Sequence, residues 1–175
     1  MGIEAVKSST PAPCRTMIKD ALKLMMRGTE DDVIEFIENA RKEFKSLPPE
    51  EIAFPRTASN VQKYKSSSDI YVKGTPIHIR GALLFNYYLR KKKLTNKYSA
   101  IENGEKIKFL YLKKPNTIQE NVLSFIQDFP TEFGLSQYID YELQFEKSFV
   151  YPLKAILDAI GWEVEKKVTL ESFFS

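Results

Sequence analysis

Apolar residues recur with a helical period in the first third of the chain. Thr10 is a candidate N-cap with Pro11 at the first helical position, and Gly28 ends this first helix. Its predicted buried face carries Ile18, Leu22 and Met25 or Met26. A second helix begins at Thr29 and ends before Pro48-Pro49, with an apolar stripe of Val33, Ile37, Ala40 and Phe44. The pattern predicts an αα-hairpin.

The pattern changes beyond Pro55, and a boundary between two subdomains is expected at residues 48–56. Residues 56–60 are predicted as a polar loop, and a helix is predicted from Ala82 to Lys92. Residues 107–112 have the composition of a strand, with 121–126 as a candidate partner. Residues 135–160 are helical in pattern, with a break around Pro152 and a stop at Gly161. These elements indicate an α+β fold that is mostly helical, with a small antiparallel sheet.

Composition describes an ordinary globular protein and excludes several classes. The chain has 175 residues, 43% of them hydrophobic and 28% charged, which excludes a disordered polymer. The single cysteine, Cys14, excludes an intramolecular disulfide framework and fits a reducing compartment. No run approaches the roughly eighteen apolar residues of a membrane span, and the start lacks a signal-peptide core. We therefore expect a cytoplasmic protein without a membrane partner.

Charge is sorted by region along the chain. Residues 55–116 carry fourteen Lys or Arg against three acids, whereas residues 17–54 carry six against nine and residues 117–175 carry four against ten. A concentrated basic segment interleaved with Tyr, Asn and Ser is typical of a surface that follows a phosphate backbone. A solvated Lys-rich face is the alternative, and charge alone does not distinguish DNA from RNA.

Candidate chemistry is limited to binding. His78 is the only histidine, no cluster has metal-ligand spacing, and no Gly-rich phosphate loop occurs, so neither a catalytic residue nor a metal site is predicted. Candidate hydrogen-bond donors include Asn60 and Tyr64, and the cations that could meet a phosphate are Lys63, Lys73, His78, Arg80 and the run Arg90-Lys91-Lys92-Lys93. Gly74 and Gly81 either allow close approach of a partner or are turn residues flanking an extended segment.

The last ten residues form a predicted tail. Leu170 followed at three residues by Phe173 and Phe174 suits one helical turn that fills an apolar pocket on a partner. Docking of the tail on its own domain is the alternative.

Several short stretches occur in an order and spacing that indicate a known family. They are residues 1–4 with 7–11, Asn60 with Lys63-Tyr64, Pro76 with residues 78–81, residues 104–106, Asp140-Tyr141, Glu146-Lys147 with Pro152-Leu153, and residues 165–167. On the basis of these stretches, the chain resembles, over essentially its full length, the C-terminal part of the family B DNA polymerases of T-even-type bacteriophages.

The resemblance implies three parts. Residues 1–50 would be the C-terminal edge of the polymerase palm, residues 51–165 the thumb that grips duplex DNA, and residues 166–175 a tail that binds the sliding clamp. The duplex-binding residues would be Lys7, Asn60, Lys63, Tyr64, Lys73, His78 and Arg80, and the clamp-binding residues Leu170, Phe173 and Phe174. Lys167 stands where the general clamp-binding pattern has Gln.

The family's catalytic motifs are not found in this sequence. The Asp-Thr-Asp-Ser motif, whose aspartates hold two metal ions in the palm, is absent, as are the fingers helix and the exonuclease motifs. The resemblance thus implies part of a DNA-directed DNA polymerase, a nucleotidyltransferase of DNA replication, that is inactive alone and acts in the host cytoplasm. Its partners would be primer-template DNA, an N-terminal polymerase fragment that binds Mg²⁺ and dNTP, and the sliding clamp. A stand-alone, non-catalytic accessory protein that binds DNA and clamp is the alternative.

Overall fold

A computed structural model describes residues 8–165, which divide into two compact units. Within this range, unit 1 contains residues 8–47 and 145–165, and unit 2 contains Pro48–Gln144. Helices dominate, and one three-stranded antiparallel sheet accompanies them, which confirms the predicted α+β class. Within residues 8–165, no helix combines the length and the apolar character needed to cross a membrane.

Unit 1 begins with the predicted helix pair. Helix α1 spans Ala12–Met25 and helix α2 spans Glu30–Lys45. Thr29 caps α2 through a reciprocal capping box: its Oγ1 accepts from the Asp32 amide, and its own amide donates to the Asp32 carboxylate. The predicted apolar stripe of α2 is buried, which confirms the second helix and its face.

The buried face of α1 differs in part from the prediction. Ile18 is buried as expected, but Leu22 and Met25 are only half-buried and Met26 is 89% exposed. The face is completed instead by Cys14, Met17 and Ala21. These residues lie within one turn of Ile18 on either side, whereas Met26 follows the last helical turn and is carried away from the core.

The last helical stretch of the described residues is interrupted. Helix α5 spans Tyr141–Phe145, a π-helical turn covers Glu146–Val150, and helix α6 spans Tyr151–Ala159. The predicted break therefore lies in the turn before Pro152, because proline has no N–H to continue the regular ladder. The predicted helical start at Leu135 is wrong, since short 3₁₀ turns precede Tyr141. Gly161, at φ 76°, provides the predicted stop.

Unit 2 contains the sheet. Its strands are β1 (Phe54–Thr57), β2 (Lys106–Tyr111) and β3 (Val122–Phe125), in the order β1-β2-β3. The prediction of β2 and β3 is confirmed, with Leu110 opposite Leu123. The predicted polar loop at residues 56–60 is partly wrong, because Arg56 and Thr57 pair with β2. A four-residue edge strand that contains a proline is too short to show alternation.

Two helices complete unit 2. The short helix α3 spans Pro49–Ile52, and helix α4 spans Ile77–Lys91. Helix α4 starts five residues before the predicted position and packs on β3, so Gly81 lies inside the helix and is not a turn residue. A Cβ at Gly81 would lie 2.4 Å from the Ser124 Oγ and 2.7 Å from the Ser124 amide nitrogen. Glycine is thus required where α4 approaches β3. Gly74, at φ 85°, does occupy a turn.

Candidate nucleic-acid interface

The basic loop, which we define as residues 60–75, presents three lysines in unit 2. It begins with a 3₁₀ turn at Val61–Tyr64 and closes on itself where Lys65 pairs with Tyr71 and the Val72 amide donates to the Tyr64 carbonyl at 3.0 Å. Its exposed cations are Lys63, Lys65 and Lys73. None of these three makes an ion pair with any residue between 8 and 165. Their charges are available to an external anion.

The start of the basic loop is held by a distant turn. Asn60 has a left-handed backbone at φ 59°, a region that Asn tolerates better than most residues. Its amide donates to the side-chain oxygen of Asn103. The neighbouring Ala58 exchanges two backbone hydrogen bonds with this turn, at 2.8 Å to Glu105 and 2.6 Å from Gly104. The Asn60 side chain remains exposed beside the lysines.

Lysines in this unit lie against tyrosine rings. The Lys63 Nζ is 5.5 Å from the Tyr64 ring centroid, and the Lys91 Nζ lies 5.8 Å from the Tyr87 ring and 5.7 Å from the Tyr88 ring. Such contacts hold an ammonium at the surface without neutralising its charge. The arrangement suits phosphate or base contacts.

A second basic cluster lies at the end of α4. It consists of Arg90, Lys91, Lys92 and Lys93, all exposed. The helix dipole favours cations at this terminus, so local helix stability accounts for part of the cluster. No ion pair within residues 8–165 neutralises it. Charge in excess of what the helix end requires is therefore also presented here.

His78 is less exposed than these lysines. It is half-buried in the first turn of α4, with its ring centroid 6.5 Å from that of Phe109. Burial, followed by the neighbouring Arg56 charge, lowers its pKa below 6.5, and a hydrogen bond to the Thr57 backbone opposes this shift only partly. His78 is thus mainly neutral at pH 7 and is a poor cation for a phosphate.

Arg80 makes internal contacts. Its Nη2 donates to the Asn121 side-chain oxygen at 2.7 Å, and its Cζ lies 5.8 Å from the Tyr71 ring centroid. Its Nε is buried without a hydrogen-bond partner in the part of the chain that the structure describes. The structure therefore brings Asn60, Lys63, Tyr64 and Lys73 together on one loop and directs much of Arg80 inward.

Other predicted site residues lie outside residues 8–165, namely Lys7, Leu170, Phe173 and Phe174. Within that range, no group of three His, Cys, Asp or Glu side chains could hold a metal ion. Sequence reasoning missed the part that Asn103 plays in holding the loop. The Asn103-Gly104 dipeptide was an available signal, because such pairs mark tight turns.

Comparison with known proteins matches nearly the whole chain to polymerases. The chain is 28% identical over 178 residues to a DNA-directed DNA polymerase of Enterobacteria phage T4. It is 30% identical over 179 residues to a DNA-directed DNA polymerase of Escherichia phage RB69. The predicted resemblance to T-even-type phage DNA polymerases is confirmed. Each alignment covers 99% of this chain but only 19% of the polymerase it matches. No protein-family model matches the chain.

Proposed function

We propose that the chain is the thumb-bearing C-terminal part of a replicative DNA polymerase and that it grips primer-template duplex through the basic loop. The observation that carries the proposal is the alignment of 99% of the chain with two phage DNA polymerases. The exposed lysines provide the chemistry, since protein contacts to phosphates position a duplex without reading its sequence. We accordingly expect little sequence preference.

The acidic residues of unit 2 support the proposal of duplex binding, because several of them accept hydrogen bonds from other residues of the same unit. Glu120 accepts a hydrogen bond from Tyr71 at 2.8 Å, and Glu132 accepts from Lys97 and from Tyr98. A Glu50 carboxylate oxygen accepts from the Phe129 amide at 3.0 Å. These contacts fix negative charge locally, while the cations of the basic loop stay exposed. The loop therefore offers positive charge to a backbone of phosphates.

The chain's contribution to polymerisation would be positional. A duplex held in one orientation keeps the primer terminus aligned for attack, which lowers the entropic part of the barrier. The metal-binding aspartates, with Mg²⁺ and dNTP, would belong to the rest of the polymerase, because the Asp-Thr-Asp-Ser motif is absent from this sequence. We also propose that Leu170, Phe173 and Phe174 bind the sliding clamp, which would raise processivity through effective concentration.

Salt dependence of duplex binding tests the proposal. A fluorescently labelled primer-template duplex is titrated with the full chain at several salt concentrations between 50 and 200 mM, and anisotropy reports the affinity. Each phosphate neutralised contributes a slope of about −0.9 in log K against log salt, so three lysines predict about −2.7 or steeper. A single strand of equal length is the control and is expected to bind more weakly. A flat response, or equal affinity for the single strand, would contradict the proposal.

A further inference from the structure

A small network ties Arg80 to the basic loop and to the segment before β3. The Tyr71 hydroxyl donates to the Glu120 carboxylate at 2.8 Å, and the Arg80 Nη2 donates to the Asn121 side-chain oxygen at 2.7 Å. The Arg80 guanidinium also lies near the Tyr71 ring, at 5.8 Å from the centroid. We call these four residues the loop anchor. Two adjacent side chains of this segment, Glu120 and Asn121, thus accept hydrogen bonds from the basic loop and from α4.

The accepting side of the loop anchor is held firmly. Asn116 is 5% exposed, and its Nδ2 donates to the carbonyls of Lys113 at 2.8 Å and Glu120 at 2.7 Å. Its Oδ1 accepts from the Ile118 amide at 3.0 Å. A buried amide with all these bonds satisfied gives the connection a defined shape. Glu120 and Asn121 therefore act as fixed points.

The Tyr71 side of the loop anchor is connected through the loop backbone to the three exposed lysines. Tyr71 pairs with Lys65, and the next residue, Val72, donates its amide to Tyr64 beside Lys63. Lys73 follows one residue later. A shift of the Tyr71 side chain would consequently be transmitted to the backbone that carries all three exposed cations. The anchor fixes where these cations stand relative to one another.

We propose that Arg80, Tyr71 and Glu120 are positioning residues that hold the basic loop in register with successive phosphates of a duplex. This inference rests on the proposed function. It assigns Arg80 a role through its neighbours instead of the direct phosphate contact that its charge suggests. It also assigns an acid, Glu120, a favourable role in binding a polyanion. Simple electrostatics predicts instead that removing the negative charge of Glu120 strengthens duplex binding. The direction of the change in affinity therefore tests the inference.

The experiment measures duplex affinity and its salt slope for Glu120→Ala, Tyr71→Phe and Arg80→Lys in the full chain. Glu120→Ala removes the acceptor, Tyr71→Phe removes only the hydroxyl, and Arg80→Lys keeps the charge but loses the planar donor. Glu102→Ala is the matched control, because Glu102 is an exposed acid of the same unit whose side chain makes no hydrogen bond within residues 8–165.

Each anchor variant is expected to weaken duplex binding about fivefold, the change equivalent to one net hydrogen bond. Each should also make the salt slope shallower although none of the three variants removes a positive charge, an effect that general destabilisation would not produce. Glu102→Ala should bind equally or more tightly. Tighter binding by Glu120→Ala, or wild-type slopes in the three variants, would overturn the inference. Absence of salt-dependent binding by the parent chain would instead defeat the proposed function.

Discussion

The two units of this protein differ in how their polar groups are used. In the described residues, unit 1 carries nine Lys or Arg against eleven acids, and unit 2 carries fourteen against ten. Unit 1 has local polar contacts such as the Thr29 capping box and the Lys154–Asp158 pair at four residues' separation. Unit 2 has contacts such as Tyr71 to Glu120, across 49 residues. Unit 1 also uses polar groups to join its two chain segments, since the Cys14 Sγ donates to the Ser148 Oγ at 3.3 Å and the Glu163 amide donates to a Glu30 carboxylate oxygen at 2.8 Å. Unit 2 differs in that it carries an excess of cations, several of them exposed on the basic loop.

Replacing Gly81 with alanine should have the largest effect on stability, because it disrupts the packing of α4 on β3 in unit 2. The added Cβ would lie 2.4 Å from the Ser124 Oγ and 2.7 Å from its backbone nitrogen, so the helix or the strand must move. We expect the free energy of unfolding to fall by about 2 kcal/mol, as for other overpacked sites. Urea unfolding followed by circular dichroism measures it. Lys91→Ala, on the exposed end of the same helix, is the control and should be nearly neutral.

Two matched triple variants test whether duplex binding depends on the cations of unit 2 or on the total charge of the chain. Replacing Lys63, Lys65 and Lys73 with alanine should weaken duplex binding about tenfold or more and reduce the magnitude of the salt slope by up to about 2.7. The counterpart in unit 1 replaces the equally exposed Lys19, Lys23 and Lys42. Anisotropy should show a much smaller loss for this second triple. Equal losses would mean that the chain binds duplex through its total charge and not through the basic loop.

The smallest expected effect concerns the local contacts of unit 1. Thr29→Ala removes the hydroxyl that accepts from the Asp32 amide and should cost about 1 kcal/mol of stability. Thr16→Ala makes the same chemical change inside α1, where the hydroxyl only bonds back to the Ala12 carbonyl at 3.4 Å. It should be neutral or slightly stabilising. Thermal unfolding compares the two, and an unchanged Tm for Thr29→Ala would show that the cap contributes little. Duplex affinity should not change in either variant.

Prediction from the sequence succeeded where the signal was local. The second helix, its start at Thr29 and its buried stripe follow from spacing within sixteen residues, and β2 and β3 follow from short apolar runs. It failed where a pattern was too short or was overridden by packing. Strand β1 has only four residues, and Gly81 looked like a turn residue because nothing local reveals that Ser124 packs against it. The predicted DNA contacts stay predictions.

The sequence by itself determined the helix pair, two of the three strands, the basic middle region and the resemblance to phage polymerases, because each is a property of residue order. Tertiary structure alone decided which charged groups remain exposed. It places Arg80 against Asn121, across 41 residues, and gives Glu120 a fixed donor, while Lys63, Lys65 and Lys73 stay at the surface. The physical reason is that hydrogen bonds depend on distance in space. Residue order specifies that distance directly only within a helical turn or a tight turn.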